Sequence, residues 1–151
     1  MGLVTLNGPK GKNLRSMTEL VTNASEQVLP FLEEAKHVLE REHGVGLAAP
    51  QIGVPYAWYI DALGKVYINP EIIDNDDDEV SVFEGCLSVP ERWYKTNRFP
   101  KVTMKFLDID LNTEVLEFSG VSAWVAQHEC DHLAGTLICD HGERMYKGEE
   151  K

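Results

Sequence analysis

From Ser25 to His43 the apolar positions recur with a helical period. Phe31, Leu32, Ala35, Val38 and Leu39 share one face, and Glu33, Glu34, Lys36, Glu40 and Arg41 share the other. The spacing predicts an amphipathic helix, with Pro30 in its first turns or at a kink and Gly44 placed to end it. A second helical pattern runs from about Val121 to Leu133. Between the two, the period shortens to that of strands. "AWYID" and "KVYINPEII", separated by Ala62-Leu63-Gly64, predict a strand pair. "EVSVFEGCLSVP" predicts a strand ending in a turn at Gly85, and "KVTMKFLDI" with "TEVLEFSG" predicts a hairpin around "DLN". The run "DNDDDE", Asp74 to Glu79, lacks the spacing of a calcium loop and predicts a solvated tip. Together these elements predict one α+β domain over residues 1–151, mostly antiparallel strands packed around a central helix.

Composition narrows the possible functions. A chain of 151 residues suits one core, and three cysteines without a signal sequence do not suggest a disulfide framework. The net charge of -11, from 14 basic and 25 acidic side chains, works against non-specific nucleic-acid binding and against adhesion to anionic membranes. No apolar run approaches the roughly 20 residues that span a bilayer. "MGLVTLNGPKGKNL" has no signal-peptide core, and Leu6 stands where a myristoylation signal prefers Ser or Thr. A cytoplasmic protein is expected.

The chemistry is concentrated in "QHECDHLAG", Gln127 to Gly135. On a helix, His128 and His132 lie one turn apart on one face, about 5–6 Å between Cβ atoms, which suits two imidazoles converging on one metal ion. Glu129 points to a neighbouring direction, where its carboxylate reaches water rather than the ion. Cys130 faces away from both histidines and is expected in the core. The third ligand is open at this level. The extended HExxHxxGxxH pattern would need a histidine where Ile138 stands. Asp140, His141 and Glu143 follow closely downstream, and Cys86 follows Gly85 upstream at an expected strand end.

"GVGLAAPQIG" (Gly44–Gly53), "EGCLS" (Glu84–Ser88) and "QHECDHLAG", in this order and spacing, are similar to the three signature motifs of the peptide deformylases. The resemblance covers nearly the whole chain. It implies that Cys86, His128 and His132 bind one divalent metal ion, Fe(II) as the working metal with zinc, nickel or cobalt able to substitute. It implies Glu129 as general acid and base, and the Gln51 side-chain amide and the Leu87 N–H as donors to the reacting carbonyl oxygen. Val45, Gly46 and Gly85, with Glu84, match positions beside an extended peptide, while Val121, Trp124 and Val125 line the pocket for its first side chain. Arg98 matches a family arginine and is expected to pair with Glu84. The implied reaction releases formate from N-formyl-methionyl peptides of nascent chains. Only 16 residues follow Gly135, so this resembles compact members from bacteriophages or organelles. A monomer without a long C-terminal docking helix is expected, any ribosome contact being transient. The expected location is the cytoplasm, of a bacterial host if the source is a phage, with an organelle as the alternative.

Two rival readings differ in kind. A metalloendopeptidase would take His141 or Asp140 as its third ligand. A peptide-binding protein without turnover would have no use for the water-activating Glu129, which weighs against it.

Overall fold

The structure, a computed structural model, describes residues 2–5 and 8–145, apart from the side chains of Glu91, His141 and Arg144. Met1, Leu6 and the tail from 146 onward lie outside the described residues, and with them the question of the myristoylation signal.

The first predicted helix is two. α1 spans Ala24–Gln27 and α2 spans Leu29–Arg41. The break falls at Val28, whose φ of -124° and ψ of -59° leave the helical region. Pro30 explains it: it has no N–H to bond the Glu26 carbonyl four residues back, and its ring obstructs that carbonyl, so the ladder is interrupted and a new helix starts with Pro30 in its first turn. The end of α2 also differs from expectation. His43, not Gly44, takes the left-handed position at φ 54°. The His43 N–H bonds the Glu40 carbonyl at 3.2 Å and the Gly44 N–H bonds that of Leu39 at 3.0 Å, a Schellman closure.

The strands pair antiparallel throughout. β1 (Gly46–Ala48), β2 (Trp58–Asp61), β3 (Val66–Asn75), β6 (Lys101–Leu107) and β7 (Thr113–Ser119) form a five-stranded sheet in the order β1-β2-β3-β6-β7. β4 (Val80–Cys86), β5 (Val89–Arg98) and β8 (Glu143–Met145) form a three-stranded sheet in the order β4-β5-β8. The predicted β2–β3 and β6–β7 pairs are both present. The predicted turn at Gly85 is not. β4 continues to Cys86, the turn is Leu87-Ser88, and Gly85 lies within the strand opposite Trp93. The charged run is shared, Asp74 and Asn75 finishing β3 before the tip begins.

The five-stranded sheet is covered on both faces. On one, Leu47, Trp58, Ile60 and Ile68 pack with Ala35, Val38 and Leu39 of α2. On the other, Tyr59, Tyr67, Val102, Met104 and Phe106 pack against α3 (Val121–Leu133) through Ala123, Ala126 and Leu133. Cys130 joins this second cluster as expected, and burial pushes its thiol up to about 12. α3 thus lies between the large sheet and the small one, and a short α4 (Ile138–His141) follows it. None of these helices is long and apolar enough to cross a membrane, among the described residues.

α3 ends in a second Schellman closure, with Gly135 at φ 79° and Thr136 N–H on the Asp131 carbonyl at 2.8 Å. A Cβ on Gly135 would stand 2.5 Å from the Arg15 carbonyl oxygen, which is backbone and cannot swing aside. Gly135→Ala therefore combines left-handed strain with a main-chain clash. It should lower unfolding free energy by about 2–3 kcal/mol, read as a lower urea midpoint at unchanged m-value.

Candidate active site

A cleft of about 570 Å³ opens between the two sheets. Gly46 of β1 lines one side, and Phe83 to Cys86 of β4 line the other. Both strands are at the edge of their sheets, so both present unpaired backbone toward the cleft.

At its floor the cleft gathers three metal-ligating atoms. Those of Cys86, His128 and His132 all lie within 4.8 Å of one another, and the Cys86 Sγ is 3.2 Å from His132 Nε2. The histidines come from α3, and the cysteine from the end of β4. Cys86 and His132 are buried. One thiolate and two imidazoles are a donor set that suits zinc or Fe(II). Among the described residues this is the one such cluster. Asp140, a rival third ligand, is instead engaged by Arg15 and by the Leu137 N–H at 2.8 Å. Glu143 is exposed on β8, and the His141 side chain lies outside the described residues.

The first histidine is oriented by a buried network that spans three elements. His128 Nδ1 meets Glu84 Oε1 at 2.7 Å, which leaves Nε2 facing the cleft floor. Arg98 donates to Glu84 through Nε at 2.6 Å and Nη2 at 2.9 Å, and Thr96 donates to the same carboxylate. Arg98 also donates through Nη1 to Asp131 of α3 at 2.6 Å. The expected Arg98–Glu84 pair is therefore present, and it is 4% exposed at the arginine, well beyond a surface ion pair. Burial alone would raise the Glu84 pKa. The hydrogen bonds from His128 and Arg98 outweigh it and hold the carboxyl well below the usual carboxylate range. Glu84 was expected beside the peptide; it lines the cleft, but its oxygens face this network.

His132 differs. Burial, with the positive charge of His128 and Arg98 added, pushes its pKa well below the ordinary value. A neutral imidazole is the form that ligates metal. Its Nδ1 is buried with no partner among the described residues.

Glu129 is 3% exposed, and its Oε1 is likewise buried without a partner. Burial pushes its carboxyl up to about 7. A buried carboxylate oxygen with nothing to accept from is costly unless a ligand supplies the proton. Gly46 makes room for it: a Cβ there would stand 2.7 Å from Glu129 Oε2. Gln51 sits in a single 3-10 turn, Ala49–Ile52, that follows β1. Its Oε1 accepts from the Ala48 N–H at 2.9 Å. That turns Nε2 toward Ser88 Oγ at 3.2 Å and Cys86 Sγ at 3.8 Å. Val45 and Val121 stand exposed at the mouth, and Trp124 and Val125 are partly buried in the wall. The metal, catalytic and substrate-binding residues that the resemblance nominates thus border one cleft or its floor, whereas Asp140 and Glu143 do not line it. Sequence reasoning missed Thr96 and Ser88 and left Asp131 without a role. Ser88 stood in the quoted "EGCLS" and was the one available signal.

Residues 3–148 match the sequence model of a family described as polypeptide deformylase. A peptide deformylase from Natranaerobius thermophilus is 35% identical over 141 residues, which cover 91% of this chain and 90% of that protein. Among solved structures, peptide deformylase from Thermotoga maritima matches with a TM-score of 0.84 at 32% identity, over 92% of this chain and 95% of that one. A PDF from the Vibrio parahaemolyticus bacteriophage VP16T, in complex with actinonin, matches at 0.82 and 28% identity, over 91% and 100%.

Proposed function

Because the chain belongs to the polypeptide deformylase family, we propose that it hydrolyses the N-formyl group of formyl-methionyl peptides, the N-termini of nascent proteins, with the residues described above. One observation carries the reading: a Cys-His-His donor set, an unpartnered buried glutamate and a glutamine amide meet at the floor of a cleft flanked by two free sheet edges. Whole residues 1–151 act in this reading as one catalytic domain.

An extended peptide adds to the edges of β1 and β4, with its formyl end toward the floor. Cys86, His128 and His132 would hold a divalent cation, which would supply Lewis acidity to water and to the formyl carbonyl. Glu129 takes a proton from water as the water oxygen bonds to the formyl carbon. The carbonyl electron pair moves onto its oxygen, where Gln51 Nε2 and the Leu87 N–H donate to the developing charge. Glu129 then returns the proton to the peptide nitrogen as the C–N bond breaks. Formate and a free α-amine leave. The Arg98–Glu84–His128 network holds the first histidine in one orientation throughout, and Asp131 anchors the arginine.

The finer assignments follow the motif resemblance. Fe(II) is the working metal, and zinc, nickel or cobalt fill the same donors. The enzyme works as a cytoplasmic monomer, its ribosome contact transient. The test is formate release from a formyl-Met peptide by protein prepared without air, with its metal quantified. Stoichiometric metal without formate would overturn the activity. A metal other than iron in the most active preparation would overturn the Fe(II) assignment alone.

Trp124 gives the pocket for the first side chain a bulky wall. It lies one turn before His128, and its Nε1 is buried with no partner among the described residues. A wall that wide favours the slim methionine chain over an aromatic one. Trp124→Leu should raise kcat/KM for formyl-Phe relative to formyl-Met peptides by about tenfold, the scale of one altered pocket contact. An unmoved ratio would make Trp124 core alone.

A further inference from the structure

We propose that the outward face of the β4–β5 hairpin, through Trp93 and Phe83, selects peptides whose second residue is aromatic or large and apolar. The inference rests on the deformylase reading, which lays an extended peptide along the edge of β4.

Side chains alternate across β4. Val82 and Cys86 are buried and Glu84 turns to Arg98, whereas Phe83 and Gly85 face outward. Across the hairpin Gly85 pairs with Trp93. The indole takes the room the glycine leaves: three carbons of its six-membered ring lie 3.3–3.5 Å from where a Cβ on Gly85 would stand. Even so, Trp93 is 49% exposed and Phe83 is 42% exposed. Both line the mouth of the cleft, on the face of β4 opposite the metal-ligating cysteine. Packing within the hairpin therefore accounts for only part of each ring.

The substrate alternates too. With its first side chain directed inward to Val121, Trp124 and Val125, its second points outward. Residues opposite one another on paired strands share a face. The second side chain then stands beside Gly85, between Phe83 and Trp93. An aromatic or long aliphatic group there covers both rings, while serine leaves them in water. Lys95, which pairs with Phe83 on this same face, offers the competing chemistry of a cation for an acidic residue. The two rings flank the glycine directly and form the larger surface, so apolar selection prevails. Trp93 and Phe83 are specificity residues; neither reaches the reacting atoms.

The experiment measures formate release from four formyl-Met-X-Ala peptides, with X as Phe, Leu, Ser and Glu. Wild type should favour Phe and Leu over Ser by about tenfold in kcat/KM, expressed mainly in KM, since the contact is the same in ground and transition states. Trp93→Ala should bring that ratio within about twofold, and Trp93→Phe should keep most of it. Phe83→Ala, at a separate outward position, should lower the ratio by a smaller factor and decides the matter if Trp93→Ala does not fold. A wild-type ratio near one, a preference for Glu, or a ratio unmoved by the variants would overturn the inference. If formate is released from none of the four, the deformylase reading fails and this inference with it.

Discussion

Glu129→Gln should keep its metal and its fold and lose about a thousandfold or more in kcat, within the range a positioned acid/base supplies. The amide fills the same space between Gly46 and α3 and still hydrogen-bonds water, but it cannot take a proton. Stability should not fall. A buried carboxyl whose folded pKa is raised costs stability as pH climbs from the ordinary glutamate value to the folded value of about 7, and the full cost stands above it; the neutral amide removes that cost. The same shift sets the acid limb of the pH profile. The base must be ionised, so kcat/KM rises with pH through the Glu129 pKa. Burial pushes that value up to about 7, and the positive charge of a bound cation draws it back toward the ordinary glutamate value of about 4.3. The limb should lie between the two and vanish in the variant. Turnover within a few-fold of wild type would remove Glu129 from the acid/base role.

Cys86→Ala should take metal content from about one ion per chain to near zero and abolish formate release with it, because two imidazoles alone form an incomplete site. Asp140→Asn is the matched control. Asp140 pairs with Arg15 and receives the Leu137 N–H, so its loss should lower stability while leaving metal occupancy near wild type. Elemental analysis of the two proteins reads the result directly. Metal retained by Cys86→Ala and lost from Asp140→Asn would overturn the deformylase ligand set and favour the endopeptidase.

Much of the fold was legible because local periodicity matched the tertiary environment. β6 shows Val102, Met104 and Phe106 buried in strict alternation, and α3 begins and ends where its pattern does. β5 escaped notice because its inward face carries Thr96 and Arg98, polar residues whose burial is justified by their tertiary partners Glu84 and Asp131. β1 escaped because three residues buried on both faces show no alternation. The helix break at Val28 was half visible in Pro30, whereas the left-handed His43 was hidden behind a more conventional neighbour, Gly44.

What the sequence determined by itself was the chemistry on a single element. His128 and His132 share one face, and Glu129 points to the neighbouring direction, whatever surrounds them, because 3.6 residues per turn is a local property of the backbone. Three motifs in order were enough to indicate the family. The tertiary structure alone decided which partners complete that face. Cys86 reaches His132 across 46 residues of sequence, Glu84 reaches His128 across 44, and Arg98 reaches Asp131 across 33. No period encodes such contacts. They exist because the packing of α3 between the two sheets brings the end of β4 to the helix, and because the charges buried there must find one another to be stable.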